Sequence, residues 1–374
     1  PPSEIMSMGM NFRELSELRL DIAKKQKEKN DSPVIGTFCS YAPVEILHSF
    51  GIIPLRIWGE SENLHKADAL LQTFICPPVR HLMALGLEGH YSFLDGIVHC
   101  YTCDAVCGLY NIWVRNLRPR FSHLISLPYM AINESLAYTI AELGNLIEKL
   151  ESFTKNKFSP ESLKRSITLY NEARSLMKDV YYLKKGGGLV SYADISAMNL
   201  CSQTLPVEMF LPELRKYVKM MKEEKHGSRR KLKILISGSI ISDTSLMTFI
   251  EEVGGDIVAD DACIGLRTLR DVIPEGDPLQ SLAGYYLTRP PCASRADFTS
   301  RKAHFLETLA DFNIDAVIFI HQKFCDPHLS DHPFLKKILD EAKIPHMQLE
   351  LEGDGFTGSV RTRIESFFEM LERR

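Results

Sequence analysis

Residues 33–58 of the chain read PVIGTFCSYAPVEILHSFGIIPLRIW, and this stretch decides the fold. It contains two short apolar runs, at 33–38 and 52–58, which are typical of buried strands. Between them a helix is predicted, opened by Pro43 and closed by Gly51. Because parallel strands need a crossover connection, the order strand, helix, strand predicts an α/β fold with a parallel sheet.

The same alternation recurs in both halves of the chain. Between them, from about residue 133 to residue 226, apolar residues recur at spacings of three and four, which predicts helices. A helix is also predicted at Leu335–Ala342. The further predicted strands are Asp95–His99, Phe121–Leu127, Leu232–Ser237, Asp256–Asp260, Asp315–Ile320 and His346–Glu350.

This pattern predicts two doubly wound parallel-sheet domains, flavodoxin-like or Rossmann-like, joined by a helical segment. The predicted divisions are an N-terminal helical segment at residues 1–30, an N-terminal α/β domain with a helical insertion at 31–200, and a C-terminal α/β domain at 201–374. In such sheets, ligands bind beyond the carboxyl ends of the strands. Functional residues are therefore expected in the loops that follow strands.

Composition and charge narrow the function. The 374 residues are 45% hydrophobic and 25% charged, the balance of a globular protein with room for two domains. A formal net charge of −4 argues against a nucleic-acid partner, and no apolar run reaches the ~18 residues of a membrane span. The first 30 residues are charged throughout and show no signal peptide, so a cytoplasmic location is expected.

Three of the nine cysteines stand out by position. Cys76, Cys103 and Cys325 are each predicted just past a strand, and the first two lie at predicted helix starts, which favour a thiolate. Because the cytoplasm keeps thiols reduced, a shared ligand explains the three better than disulfides do. Zinc sites usually use close cysteine pairs, and only residues 100–107 offer such a group. Scattered thiolates suit an iron–sulfur cluster.

Five segments of the chain are familiar when taken together. They are GTFCSYAPVEILHSFGIIPLRIWGE (36–60), FICPPVRHLMALGL (74–87), IVHCYTCDAVCGLYNIW (97–113), FCDP (324–327) and IPHMQLELEGDGFTGSVRTRIESFFEML (344–371). They resemble the 2-hydroxyacyl-CoA dehydratase / benzoyl-CoA reductase family, and within it a subunit like the 2-hydroxyglutaryl-CoA dehydratase D-component. The resemblance implies that Cys76, Cys103 and Cys325 ligate a [4Fe–4S] cluster. These are the three cysteines that the strand-end argument selects.

The resemblance also implies a function. It implies one subunit of a dimer of related chains, usually unlike, to which a separate ATP-hydrolysing iron–sulfur activator delivers one electron at low potential. In a dehydratase this electron turns the acyl-CoA thioester carbonyl into a ketyl radical that expels the neighbouring hydroxyl. In a benzoyl-CoA reductase the same machinery reduces the aromatic ring. The sequence contains no P-loop motif, which fits a separate ATPase.

The role of the chain within such a complex stays open, and so do the roles of Ser40 and the other cysteines. The chain is either the catalytic subunit or a non-catalytic electron relay, and a double-cubane reductase is a third possibility. Ser40 is the catalytic candidate, because a hydroxyl beyond the first strand could donate a hydrogen bond to the substrate carbonyl or to a cluster-bound water. The remaining cysteines are interpreted mainly as packing residues: Cys39, Cys100, Cys107, Cys201, Cys263 and Cys292.

Overall fold

A computed structural model describes residues 11–223, 231–240, 244–295, 297–352 and 356–373 of the chain. Parts of three predicted features lie outside these ranges, namely residues 1–10 of the N-terminal segment, 224–226 of the helical region and 353–355 of the last resembling segment. Within the described ranges, the chain folds into two parallel sheets surrounded by helices.

The strands confirm the predicted α/β class. They are β1 (Val34–Thr37), β2 (Ile53–Arg56), β3 (Gly96–Cys100), β4 (Phe121–Ile125), β5 (Leu232–Gly238), β6 (Gly255–Asp261), β7 (Ala316–Gln322) and β8 (His346–Leu351). They form two four-stranded sheets in the orders β2-β1-β3-β4 and β6-β5-β7-β8. Every neighbouring pair is parallel.

Burial explains why the sequence predicts these strands well. All residues of β1, β2, β3 and β7 are buried. Strands covered on both faces read as continuous apolar runs, which mark their positions in the sequence. The predicted strand ends therefore lie within about two residues of the observed ones.

The helices cover both faces of the sheets. In chain order they are α1 (Phe12–Glu17), α2 (Arg19–Asn30), α3 (Val44–Ser49), α4 (His65–Asp68), α5 (Pro77–Leu87), α6 (Asp104–Leu117), α7 (Asn133–Thr154), α8 (Pro160–Lys185), α9 (Tyr192–Thr204), α10 (Val207–Glu223), α11 (Thr244–Glu252), α12 (Leu266–Leu269), α13 (Pro278–Thr288), α14 (Phe298–Phe312), α15 (Asp326–Ala342) and α16 (Gly358–Glu372).

Two local predictions are wrong, and both concern the cysteines. Cys76 does not directly follow a strand, because residues 73–75 form a turn and β2 ends at Arg56. The helix predicted at Leu335–Ala342 begins much earlier, at Asp326. Pro327 fits the first turn of this helix, whereas Pro333 lies inside it, where proline normally signals a break.

The two halves of the chain share their cores. One apolar cluster covers a face of the first sheet and includes Leu282 and Tyr286 of α13, a helix of the second half of the chain. Another joins α8, α9 and α10 to the second sheet. The division at residues 200 and 201 stays a prediction.

Candidate functional site

One cavity of about 110 Å³ lies at the carboxyl ends of strands from both sheets. Residues directly after β1, β2 and β5 belong to its lining, as does Gln322, the last residue of β7. We call it the cysteine cavity, because six cysteines line it: Cys39, Cys76, Cys103, Cys263, Cys292 and Cys325. Sulfur atoms from both halves of the chain thus meet where ligands bind in sheets of this kind.

The three predicted ligand cysteines share one local geometry. Cys76 is the N-cap of α5, Cys103 the N-cap of α6 and Cys325 the N-cap of α15. The sequence predicts a helix start for only two of them. The first-turn N–H groups of a helix are free and carry the positive end of its dipole. In each case the backbone N–H of the residue three positions later lowers the pKa of the thiol.

Burial nevertheless outweighs the helix starts. It raises the pKa of Cys76 to about 11 and raises the pKa values of Cys103 and Cys325 as well. The negative charges of Cys76 and Cys325 raise the pKa of Cys103 further, so the three sulfur atoms lie close enough to act on one another. A metal that bound these buried thiols would have to displace their protons.

The turn that leads into Cys325 is strained. Phe324 has a φ of 61°, in the left-handed region that bulky residues avoid. The other five described non-glycine residues with positive φ are C-caps of helices. Such a conformation costs about 1–3 kcal/mol and is concentrated at functional sites. Here it turns the chain tightly, with the Cys325 N–H donating to the Gln322 carbonyl oxygen at 3.0 Å.

The polar atoms of the lining are incompletely paired. Arg56 Nε, Ser239 Oγ and Gln322 Oε1 are buried and have no hydrogen-bond partner among the described residues. Each such atom costs about 1–3 kcal/mol if nothing binds it. Buried thiols, unpaired polar atoms and apolar walls such as Trp58 and Leu82 together fit a group that binds through sulfur in a water-poor site.

The described side chains do not form a site for a single metal ion. Within the described ranges, no group of three or more His, Cys, Asp or Glu side chains could hold one metal ion. An iron–sulfur cluster differs, because each thiolate binds a different iron and the sulfur atoms stay apart. The cysteines that line the cavity are donors of the kind that a cluster uses.

Ser40 lies beside the cysteine cavity and lines a neighbouring one. The two cavities share Cys39 and Arg56 in their walls. Arg289 donates from Nη2 to Ser40 Oγ at 3.0 Å and from Nη1 to the Ser40 carbonyl oxygen at 2.9 Å. Because Ser40 Oγ accepts this bond, its own proton remains available to a group in the neighbouring cavity.

Comparison with known proteins identifies the family. The family model of the 2-hydroxyglutaryl-CoA dehydratase D-component matches residues 39–371. The chain belongs to this family. The match includes the three N-cap cysteines, together with β3 before Cys103 and β7 before Cys325.

Relatives of the family match the chain along nearly its whole length. It is 29% identical to a benzoyl-CoA reductase subunit of Thauera aromatica over 95% of both chains. It is 25% identical to the (R)-phenyllactyl-CoA dehydratase beta subunit of Clostridium sporogenes, over 96% of this chain and 98% of the relative. It is 22% identical to the (R)-2-hydroxyglutaryl-CoA dehydratase beta subunit of Acidaminococcus fermentans, over 98% and 100%. None of the described helices has the length and apolar character of a membrane span.

Three other cysteines of this family member lie away from the cavity. Cys100 donates to the Tyr41 carbonyl oxygen at 2.9 Å, and Cys201 donates to the Phe12 carbonyl oxygen at 3.4 Å. Cys107 Sγ lies 3.8 Å from His99 Nε2. None of the three is among the described residues that line the cysteine cavity, which agrees with packing roles.

Two cavity residues carry signals that the sequence analysis did not use. Arg56 is the charged last residue of the apolar strand β2, where a buried cation needs an anion or a strong acceptor. Its Nη1 donates to the Gln203 side chain at 2.6 Å and to the Cys263 carbonyl oxygen at 2.9 Å. Cys263 follows β6 by two residues, so it meets the same strand-end criterion that selects Cys325.

Proposed function

We propose that this chain is the iron–sulfur subunit of a low-potential 2-hydroxyacyl-CoA dehydratase. In this proposal Cys76, Cys103 and Cys325 ligate one [4Fe–4S] cluster. The observation that carries it is the convergence of three N-cap thiols, from both halves of the chain, on one cavity. Relatives named as dehydratases of (R)-phenyllactyl-CoA, lactoyl-CoA and (R)-2-hydroxyglutaryl-CoA support an acyl-CoA thioester substrate.

In this proposal the protein contributes the ligating thiolates, the N–H groups of three helix starts and an apolar cavity that excludes water. A bound cluster supplies one-electron transfer at low potential. The first-turn N–H groups of α5, α6 and α15 stabilise the ligating thiolates once their protons are displaced. The apolar walls keep water out, and a dry site with few hydrogen bonds to sulfur lies low within the roughly −700 to +450 mV range of protein-bound clusters.

The proposal includes two partner proteins. A homologous second subunit is one, unlike this chain or a second copy of it, and it is supported by the relatives, which are named as subunits. A separate ATP-hydrolysing iron–sulfur activator is the other, because this sequence has no P-loop motif. We place the complex in the cytoplasm, where thiols remain reduced before the cluster is assembled.

A benzoyl-CoA reductase subunit is the second candidate function. The 29% identity to a benzoyl-CoA reductase subunit, along nearly the whole chain, favours it. The two reactions are separated by giving the activated complex a 2-hydroxyacyl-CoA or benzoyl-CoA. Formation of an enoyl-CoA supports the dehydratase, formation of a cyclic diene supports the reductase, and turnover of neither thioester contradicts both.

Two roles are possible for this chain within the dimer, and Ser40 separates them. In the catalytic role, the Ser40 hydroxyl donates to the thioester carbonyl in the neighbouring cavity. In the relay role, the cluster passes its electron on and Ser40 takes no part. A Ser40→Ala variant with unchanged iron content keeps its turnover only in the relay role.

A double-cubane protein, favoured by the six cysteines of the cavity, would hold about eight irons per chain instead of about four.

A further inference from the structure

Three arginines line the neighbouring cavity, to which Ser40 also belongs. They are Arg56, Arg174 and Arg289, and they are 5%, 9% and 6% exposed. A guanidinium stays charged when it is buried, so each of them is expected to have an anionic partner. The three arginines differ in how far the protein itself supplies one.

Arg174 has its partner within the chain. Its Nη2 donates to the carboxylate of Glu45, and the two form a buried ion pair. Tyr286 donates to the same carboxylate at 2.8 Å. Among the described residues, Glu45 therefore balances the charge of Arg174 and of no other arginine.

Arg56 and Arg289 form no ion pair with any carboxylate of the described residues. Arg56 donates to the Gln203 side chain and to the Cys263 carbonyl oxygen, and Arg289 donates to the hydroxyl and carbonyl oxygens of Ser40. All these acceptors are neutral, so they satisfy N–H groups without balancing the charges. The Nε of each arginine is buried and has no hydrogen-bond partner in the part of the chain that the structure describes.

The two unbalanced cations act on each other. Burial lowers the pKa of Arg56, and the charges of Arg289 and Arg267 add to this effect. The ring of Tyr41, whose centroid lies 4.3 Å from the guanidinium carbon of Arg289, holds this cation without neutralising it. A cluster in the cysteine cavity would offset the charge of Arg56, which lines both cavities. Arg289 is not among the described residues that line the cysteine cavity, so its charge calls for a separate anion.

The size and the walls of the neighbouring cavity indicate what kind of anion fits. Its volume is about 80 Å³. Since a cavity of about 150 Å³ holds benzene, this one suits an acid with about two or three carbon atoms. A carboxylate matches the fork of a guanidinium, and a short alkyl group suits the apolar side chains of Val44, Leu205 and Leu269 in the wall. Phosphate and sulfate have no apolar part to place there.

We propose that the neighbouring cavity is a binding site for the carboxylate of a short acid, bound by Arg56 and Arg289 with the Ser40 hydroxyl as a further donor. This site goes beyond the proposed function, because it requires neither a cluster nor a catalytic role of the chain. The carboxylate belongs either to a free acid or to the far end of a substrate's acyl chain.

Equilibrium dialysis of the full chain, purified without oxygen, against ¹⁴C-labelled acetate tests the proposal. We expect saturable binding of acetate at a single site per chain. Acetamide has the shape of acetate without its charge, and chloride has a charge without a carboxylate, so neither should displace the label as unlabelled acetate does. The proposal is overturned if acetate does not bind saturably, or if acetamide or sodium chloride displaces it equally well.

Variants assign the binding to the arginines. Arg289→Met removes one cation and should weaken acetate binding about tenfold or more, whereas Arg289→Lys keeps the charge and should recover part of the loss. Ser202→Ala is the matched control, because Ser202 lines the same cavity and its hydroxyl donates to the Asn199 carbonyl oxygen at 2.8 Å. Unchanged binding in Arg289→Met, or an equal loss in Ser202→Ala, contradicts the assignment. If Arg289→Met does not fold, the dialysis of the wild type decides.

Two thioesters distinguish the sources of the carboxylate. Glutaryl-CoA carries a carboxylate at the far end of its acyl chain, and butyryl-CoA does not. Displacement of acetate by glutaryl-CoA and not by butyryl-CoA assigns the site to an acyl chain, and displacement by neither assigns it to a free acid. Equal displacement by both contradicts a site for a carboxylate. None of these results depends on iron, so a protein without iron would contradict the proposed function and leave this site standing.

Discussion

Two buried polar regions of the second sheet lie only two residues apart in the chain. At the end of β6, Asp261 forms a network with Arg301, Asp331 and Ser237, which we call the Asp261 network. Arg301 Nη1 donates to Asp261 at 2.7 Å, and Arg301 Nε donates to Asp331 at 2.9 Å. Two residues on, Cys263 enters the cysteine cavity, whose polar atoms include several without partners among the described residues.

The two regions differ in how the protein compensates for the burial of their ionisable groups. Burial acts to raise the pKa of Asp261, but Arg301 and its hydrogen bonds hold this pKa well below its usual value. The carboxylate is therefore charged and paired within the protein. In the cysteine cavity, burial raises the pKa values of Cys76 and Cys103, and no cation is among the main influences on either thiol. The paired charges of Asp261 and Arg301 stabilise the fold, whereas the uncharged thiols and unpaired polar atoms of the cysteine cavity leave room for a ligand.

The largest expected effect is the loss of the cluster when a ligand cysteine is removed. Cys325→Ala takes away a thiolate that the proposal requires, so iron and acid-labile sulfide should fall from about four per chain to near zero. The control is Cys201→Ala, since Cys201 is a buried cysteine outside the cavity. Retention of the wild-type iron content by Cys325→Ala would contradict the role of Cys325 as a ligand, and with it the functional reading of the cysteine cavity.

The next effect concerns the completed network. Arg301→Met leaves Asp261 buried without its main partner, so the free energy of unfolding should fall by about 3–5 kcal/mol. Urea unfolding followed by circular dichroism measures this change. A loss below about 1 kcal/mol would mean that the Asp261 network behaves like a surface ion pair.

A smaller effect is expected from pH, through His99. Burial lowers the pKa of His99 to about 3, from an ordinary value near 6.5. Between these values the unfolded chain binds a proton that the folded chain does not, so stability falls as the pH falls from about 6.5. At pH 5 the cost of this one group is about 2 kcal/mol.

His99→Gln tests this dependence through the slope of stability against pH, whatever its effect at neutral pH. The slope between pH 6 and pH 4 should decrease by about 1.4 kcal/mol per pH unit, the value for one proton. An unchanged slope would show that His99 is protonated in the folded protein, in contradiction to its burial.

The smallest effect is expected at the surface. Lys336 pairs with Asp340 one turn later in α15, at 2.6 Å, and both side chains are about half exposed. Lys336→Met should change the free energy of unfolding by less than about 0.5 kcal/mol. A loss as large as that of Arg301→Met would remove the distinction between completed buried networks and ordinary ion pairs.

The sequence predicts the strands better than the cavity. Strands such as β7 are recognisable from local patterns, because they are apolar along most of their length. The early start of α15 at Asp326 is not recognisable in this way, because Pro333, which lies in the interior of the helix, normally signals a break. Local patterns therefore decide strand positions, and proline context decides how well a helix start is predicted.

The site shows the same limit. The helix starts at Cys76 and Cys103 follow from adjacent residues, whereas the position of Ser40 depends on Arg289, which is 249 residues away in the chain. The contacts of Cys263 with Arg56 likewise join residues 207 apart. These contacts form only when the two sheets pack together, so no local pattern predicts them.

The most direct test of the cluster proposal is the iron and acid-labile sulfide content of the protein purified without oxygen, with Mössbauer spectroscopy of the iron. The convergence of Cys76, Cys103 and Cys325 predicts about four irons and four sulfides per chain, in the pattern of a [4Fe–4S] cluster. A colourless, correctly folded protein that contains neither iron nor sulfide would contradict it.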